Sequence, residues 1–135
     1  MAGLIIPILD KRVFEFSFLG ASPAAQDVVL HPAVDITAFY RVKLLVRVHS
    51  ITATTGNFQF RFYNTFPSEQ DPQEFTDSTA VGTAASITTA SPNIVVANTT
   101  TDAQAFLKIV LRASQGTAGN TLYGEFSAAL LCRET

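Results

Sequence analysis

Phenylalanine recurs at every second position in two separate stretches of this 135-residue chain, residues 13–19 and 58–65. A period of two residues places alternate side chains on one face of a β-strand, whereas a helix would scatter them around its circumference. Both stretches therefore predict strands with one face buried. The phenylalanines on these two faces are Phe14, Phe16, Phe18, Phe58, Phe60 and Phe62.

The longest strand signal covers residues 38–51, where apolar side chains alternate with mostly basic ones. A turn near residues 54–57 follows, so 38–51 and 58–65 are predicted to pair as an antiparallel hairpin. Residues 105–113 and 121–131 predict a second hairpin in the same way. Shorter strands are expected at 28–30, ending before Pro32, and at 86–88 and 94–97. The side chains predicted to point outward from 38–51 are Arg41, Lys43, Leu45, Arg47 and His49.

These segments amount to about eight strands without a convincing helix. Hydrophobic residues make up 47% of the chain and charged residues only 15%, which excludes intrinsic disorder. We predict an all-β fold, an antiparallel two-sheet β-sandwich, of which the jelly roll is one form. Residues 13–135 are predicted to form a single sandwich domain. Residues 1–12 are predicted to be an apolar N-terminal arm or the first edge strand.

The charge and the cysteine count bear on the compartment and the partners. A net charge of −2 argues against direct nucleic-acid binding. Cys132 is the single cysteine, so an internal disulfide is not possible. The apolar N-terminal run precedes its charges, the reverse of a signal peptide, and no apolar stretch approaches the roughly 18 residues of a membrane span. We expect a protein made in the cytoplasm, without membrane contact.

Candidate residues for catalysis or metal binding are few. The two histidines, His31 and His49, belong to no nucleophile motif and to no zinc-ligand spacing. The acidic residues of 66–83 lack the pattern of a calcium-binding loop, although a calcium site there stays open. The sequence therefore predicts no enzyme, no cofactor and no catalytic or metal site.

The distribution of charge along the chain is the most informative functional pattern: residues 38–65 carry basic residues and no acidic one, and residues 66–83 carry acidic residues and no basic one. Either the acidic stretch 66–83, predicted to be a long irregular loop, folds back onto a basic sheet face, or the loop of one subunit meets the basic face of another. The basic residues of 38–65 are Arg41, Lys43, Arg47 and Arg61, and the acidic residues of 66–83 are Glu69, Asp71, Glu74 and Asp77.

The apolar N-terminal segment has the same two interpretations. It is either the first strand of the sandwich, interrupted by Pro7, or an arm that docks on a neighbouring subunit. Its large apolar residues, which complete the predicted subunit interface, include Leu4, Ile5, Ile6 and Ile8.

The stretch 41–50, followed by Gly56 and the strand 58–62, resembles the central hairpin of small β-sandwich structural proteins of tailed-phage virions and related particles. The turn at 113–120 before a final strand ending at Arg133 is similar in style. The resemblance implies a decoration, shell or tail component that self-associates, and it carries over no functional residues.

We therefore predict a non-enzymatic structural protein that self-assembles as a homo-oligomer, a trimer or a ring. It would form part of, or decorate, a larger particle such as a phage virion, together with other particle proteins. The alternative is a ligand-binding β-sandwich that recognises a glycan or a protein partner through 66–83. A cupin-like enzyme is disfavoured, because cupins need clustered metal-binding histidines.

Overall fold

The structure, a computed structural model, describes residues 3–18, 24–37, 39, 41–52, 56–67, 75–101, 106–114 and 121–133. Within these ranges the chain forms nine β-strands and no helix. The strands are β1 (Gly3–Ser17), β2 (Gln26–Asp35), β3 (Arg41–Thr52), β4 (Asn57–Pro67), β5 (Phe75–Val81), β6 (Thr83–Ala84), β7 (Ile94–Thr100), β8 (Phe106–Ser114) and β9 (Thr121–Arg133).

The strands form two antiparallel sheets, which confirms the predicted all-β sandwich. The five-stranded sheet has the order β1-β9-β3-β7-β6, and the four-stranded sheet has the order β2-β8-β4-β5. Four of the pairings are nested in sequence: β1 with β9, β2 with β8, β3 with β7, and β4 with β5. Strands far apart along the chain therefore lie side by side.

The core between the two sheets is rich in phenylalanine, as the alternating pattern predicts. The Phe126 ring, on β9, lies 5.2 Å from the Phe58 ring and 5.5 Å from the Phe60 ring, both on β4 of the other sheet. Both pairs are edge-to-face, the arrangement that aromatic quadrupoles favour. The six phenylalanines singled out from the sequence are all buried: Phe14, Phe16, Phe18, Phe58, Phe60 and Phe62.

Both predicted hairpins are wrong. β3 lies between β9 and β7, and β4 lies between β8 and β5 in the opposite sheet. β8 and β9 likewise belong to different sheets. Strands that are consecutive in sequence, such as β3 and β4, lie in opposite sheets, and their apolar faces both point into the core. The alternating pattern therefore reflects packing between the sheets and not pairing within one sheet.

The predicted long loop at 66–83 is also wrong over its described part. β4 continues to Pro67, and β5 occupies Phe75–Val81 as the edge strand beside it. Residues 68–74 lie outside the described residues. An edge strand has one sheet neighbour and tolerates the polar composition that indicated a loop.

The strand predicted to stop before Pro32 instead runs through it to Asp35. β2 is an edge strand with register shifts on both sides of His31. Proline is tolerated at edges and bulges, because its missing N–H is not needed there for the ladder.

Two local features help to hold the five-stranded sheet in place. The Asn98 side-chain amide on β7 donates a 2.7 Å hydrogen bond to the Phe60 carbonyl of the other sheet. At a bulge in β1, Lys11 has a φ of +48°, and its N–H donates to Ser127 Oγ at 3.0 Å. Ser127 Oγ also lies 2.8 Å from His49 Nε2, so one hydroxyl on β9 contacts both neighbouring strands.

The described part of the chain contains no helix with the length and apolarity that a membrane crossing requires.

Candidate functional site

The outer face of the five-stranded sheet carries three of the four predicted basic residues. Arg41, Lys43 and Arg47 are exposed on β3, while Val42, Leu44 and Val46 between and beside them are buried. The alternation therefore placed these residues on the correct face.

The fourth predicted basic residue lies on the opposite side of the sandwich. Arg61 is on β4, in the four-stranded sheet, and its guanidinium donates to Gln59 Oε1 over 3.3 and 3.2 Å. On the same sheet, Arg112 bonds Asp27 through a 2.8 Å ion pair. The prediction of one basic face is therefore wrong for Arg61, because β3 and β4 do not share a sheet.

Sequence reasoning missed a fourth cation on the outer face, Arg133 at the end of β9. It lies directly opposite Arg41 in the antiparallel register, and Leu131 lies opposite Lys43. Outward parity along 121–131 could have indicated its face, since Tyr123, Ser127 and Leu131 are not fully buried. The Arg41 partnership could not be read from the sequence, because it depends on which strands pair.

A trough of about 460 Å³ lies on the outer face, across β9, β3 and β7, and is lined in part by Arg41, Lys43 and Arg133. Its cations lie beside apolar side chains and the threonines at 99–101, and none of the described lining residues is acidic. Within the described part of the chain, the Arg41, Lys43 and Arg133 side chains make no ion pair. The cationic and apolar side chains of the lining include Arg41, Lys43, Arg133, Leu45, Val96 and Leu131.

The apolar N-terminal residues are divided between the core and the surface. Ile6 and Ile8 pack against the core, whereas Leu4 and Ile5 are 44% and 65% exposed. Ile5 pairs with Leu131, so it lies next to the trough on the same outer face. The segment belongs to the continuous strand β1, and its proposed docking on a neighbour stays a prediction.

The predicted acidic partners are mostly outside the described residues. Glu69, Asp71 and Glu74 lie in 68–74, and Asp77 lies in β5, where it pairs with Thr65. The contact between acidic and basic residues stays a prediction.

The histidines and the cysteine have structural partners or surroundings. His31 Nδ1 accepts a 3.3 Å hydrogen bond from the Ala33 N–H, and His49 contacts Ser127. Cys132 is buried, and burial raises the pKa of its thiol, which disfavours the reactive thiolate. Among the described residues, no three His, Cys, Asp or Glu side chains are grouped as metal ligands.

Comparisons with known proteins identify a fold but no family. No protein-family model matches the chain, and no curated protein does. The Gx strain structure of infectious bursal disease virus is similar with a TM-score of 0.64 at 14% identity, over 97% of this chain and 31% of that chain. The crystal structure of the VP2 subviral particle of the same virus gives a TM-score of 0.63 at 17% identity, over 97% and 32%.

The chain thus spans about a third of the length of these two similar chains. At such identities the likeness shows the fold alone. It agrees with the viral-particle part of the resemblance seen in the sequence, and neither of these structures is of a tailed phage.

Proposed function

We propose that this chain is a non-enzymatic structural protein that self-assembles and forms part of, or decorates, a virion or a related particle. The observation that carries the proposal is the likeness over 97% of the chain to chains of infectious bursal disease virus, one of them from a VP2 subviral particle. The tailed-phage class and the trimeric or ring form are parts of the proposal that come from the sequence.

The strand order supports the same function. Nested pairing of β1 with β9, β2 with β8, β3 with β7 and β4 with β5 is the order expected of a long hairpin folded into two sheets, which is a jelly roll. Double-sheet jelly rolls occur in viral capsid and lectin domains. We therefore assign the sandwich to this topology as part of the proposal.

The outer face of the five-stranded sheet supports contact with other subunits. Ile5, Ile94 and Val96 are 65%, 66% and 45% exposed on this sheet, beside cations that have no described acidic partner. Exposed apolar patches rimmed by polar residues mark interaction sites. In this proposal Arg41, Lys43 and Arg47 serve one subunit contact and Arg61, on the opposite sheet, serves another.

Light scattering coupled to gel filtration, followed by negative-stain electron microscopy, tests the proposal on the full chain. We expect a mass several times 14.5 kDa at raised protein concentration, and rings, shells or other regular particles on the grid. Monomers across a wide range of concentration and salt, with featureless images, would overturn the self-assembly that we propose.

A further inference from the structure

The trough on the outer face contains a pair of like charges with no described counter-charge. Arg41 and Arg133 lie directly opposite each other on adjacent antiparallel strands, and Lys43 is two residues further along β3. Like charges at directly opposed positions destabilise a sheet. An anionic partner that binds between them would remove this repulsion, so the site is built to favour a carboxylate-bearing ligand.

The trough also offers surface that a simple anion would leave uncovered. Leu45, Val96 and Leu131 supply an apolar surface beside the cations. The volume of about 460 Å³ lies within the range of pockets that hold whole small molecules, about 300–1,000 Å³. It suits a short peptide segment that carries both acidic and apolar side chains.

The chain itself contains a segment with this chemistry. Residues 66–77 include four acidic residues, no basic residue, and phenylalanines at positions 66 and 75. The segment joins the end of β4 to β5, the edge strand of the four-stranded sheet, where Pro67 pairs with Phe75. The trough lies on the outer face of the other sheet, which points away from the four-stranded sheet.

We infer that the trough formed by Arg41, Lys43 and Arg133 binds the acidic segment 66–77 of a second copy of this chain. The inference rests on the proposed self-assembly and names its contact. Because the trough and the segment are different surfaces, the contact is heterologous, and repeated copies close into a ring or extend as an array.

Direct binding of a synthetic peptide tests the trough. A labelled peptide of residues 66–77 is titrated with the full chain and followed by fluorescence anisotropy. We expect binding that R41E/R133E weakens at least about tenfold, because the substitutions reverse the sign of the trough. The control K11E/R12E makes the same change in charge at two exposed residues of β1 outside the trough and should leave binding unchanged.

R41E/R133E replaces one like-charged pair by another, so circular dichroism and melting should show a folded protein of similar stability. A second peptide, with its four acids replaced by the corresponding amides, should not bind. Equal binding of the acidic peptide to wild type and to R41E/R133E would overturn the inference.

Mixing two defective variants separates a second copy from the chain's own segment. R41Q/R133Q retains the acidic segment, and E69Q/D71N/E74Q retains the trough, so neither should assemble alone; neutral substitutions are used because reversed charges on both partners would attract each other again. Their mixture should form one-to-one dimers and nothing larger, because each pair has a single intact contact. If the mixture stays monomeric while the wild type assembles, the inference fails and the proposed function stands; if the wild type is itself monomeric, the proposed function fails and the peptide result decides the trough.

Discussion

Asn98 on β7 donates its side-chain amide to the Phe60 carbonyl on β4 at 2.7 Å, which joins the two sheets through the buried interior. Buried polar groups are costly unless they are paired, so this bond contributes to the alignment of the sheets. The Asn98 Oδ1 atom has no hydrogen-bond partner in the described part of the chain, so the donor side alone forms this link.

Asn98→Ala should lower the free energy of unfolding by about 1–3 kcal/mol, because the Phe60 carbonyl loses its donor in a buried site. Urea denaturation measures the change. Asn93→Ala is the matched control, since the Asn93 side chain is exposed, and it should change stability by less than about 0.5 kcal/mol. Equal stability of the two variants would show that the inter-sheet bond contributes nothing.

Gly124→Ala should destabilise the core by about 1–3 kcal/mol, the usual cost of overpacking. A Cβ atom at this position would lie 2.5 Å from the Phe126 ring, which is itself packed against Phe58 and Phe60. Thermal unfolding would give the shift. Gly3→Ala, whose Cβ would meet its nearest neighbour at 3.5 Å, is the control on the paired edge strand. In a Phe126→Leu background, Gly124→Ala should cost less than it does in the wild type, and an equal cost in both backgrounds would argue against the steric cause.

Lys11→Gly should be more stable than Lys11→Ala by about 1 kcal/mol. Lys11 has a φ of +48°, a left-handed conformation in which a Cβ atom costs energy and glycine does not. Both variants lose the same charge from an exposed position, so the comparison isolates the backbone. Chemical denaturation of the pair is sufficient, and a more stable alanine variant would contradict the assigned strain.

The ion pair between Asp27 and Arg112 should make a small contribution that depends on pH. The hydrogen bond from Arg112 lowers the pKa of the Asp27 carboxyl below its ordinary value of 3.8, more than partial burial raises it. A lowered pKa in the folded state stabilises the protein above the pKa of the unfolded state, about 3.9, and the stabilisation disappears as the pH falls through the folded value.

At pH 7, Asp27→Asn should therefore cost at most about 1 kcal/mol, since both side chains are partly exposed to solvent. The difference from wild type should stay constant down to about pH 5 and shrink below about pH 4. Denaturation series at several pH values measure it. In an Arg112→Gln background the contribution from this pair should be absent, and a difference that persists there would assign the effect to another group.

The sequence predicted the buried faces well, because they depend only on local periodicity. Phe14, Phe16 and Phe60 all occupy the core where alternation placed them. The sequence did not predict which strands pair. Two consecutive strands show the same alternation of apolar and polar side chains whether they are neighbours in one sheet or face each other across the core. The wrong hairpins and the misplaced Arg61 share this cause.

The candidate site shows the same division. The outward position of Arg41 and Lys43 follows from the β3 pattern, whereas the juxtaposition of Arg41 with Arg133 follows from the pairing of β3 with β9. At Pro32 it was the local prediction that was wrong, since the rule that a strand stops before a proline did not hold there. A bulged edge strand accepts a proline that a central strand would exclude.

The position of β9 between β1 and β3 has a consequence for how the protein is made. Residues 121–133 are translated after every other described strand, yet two earlier strands pair with them rather than with each other. During synthesis, the edges of β1 and β3 that pair with β9 therefore stay without this neighbour until β9 emerges from the ribosome. Closure of this sheet is then a late step of folding, and chains that end before residue 121 are candidates for aggregation.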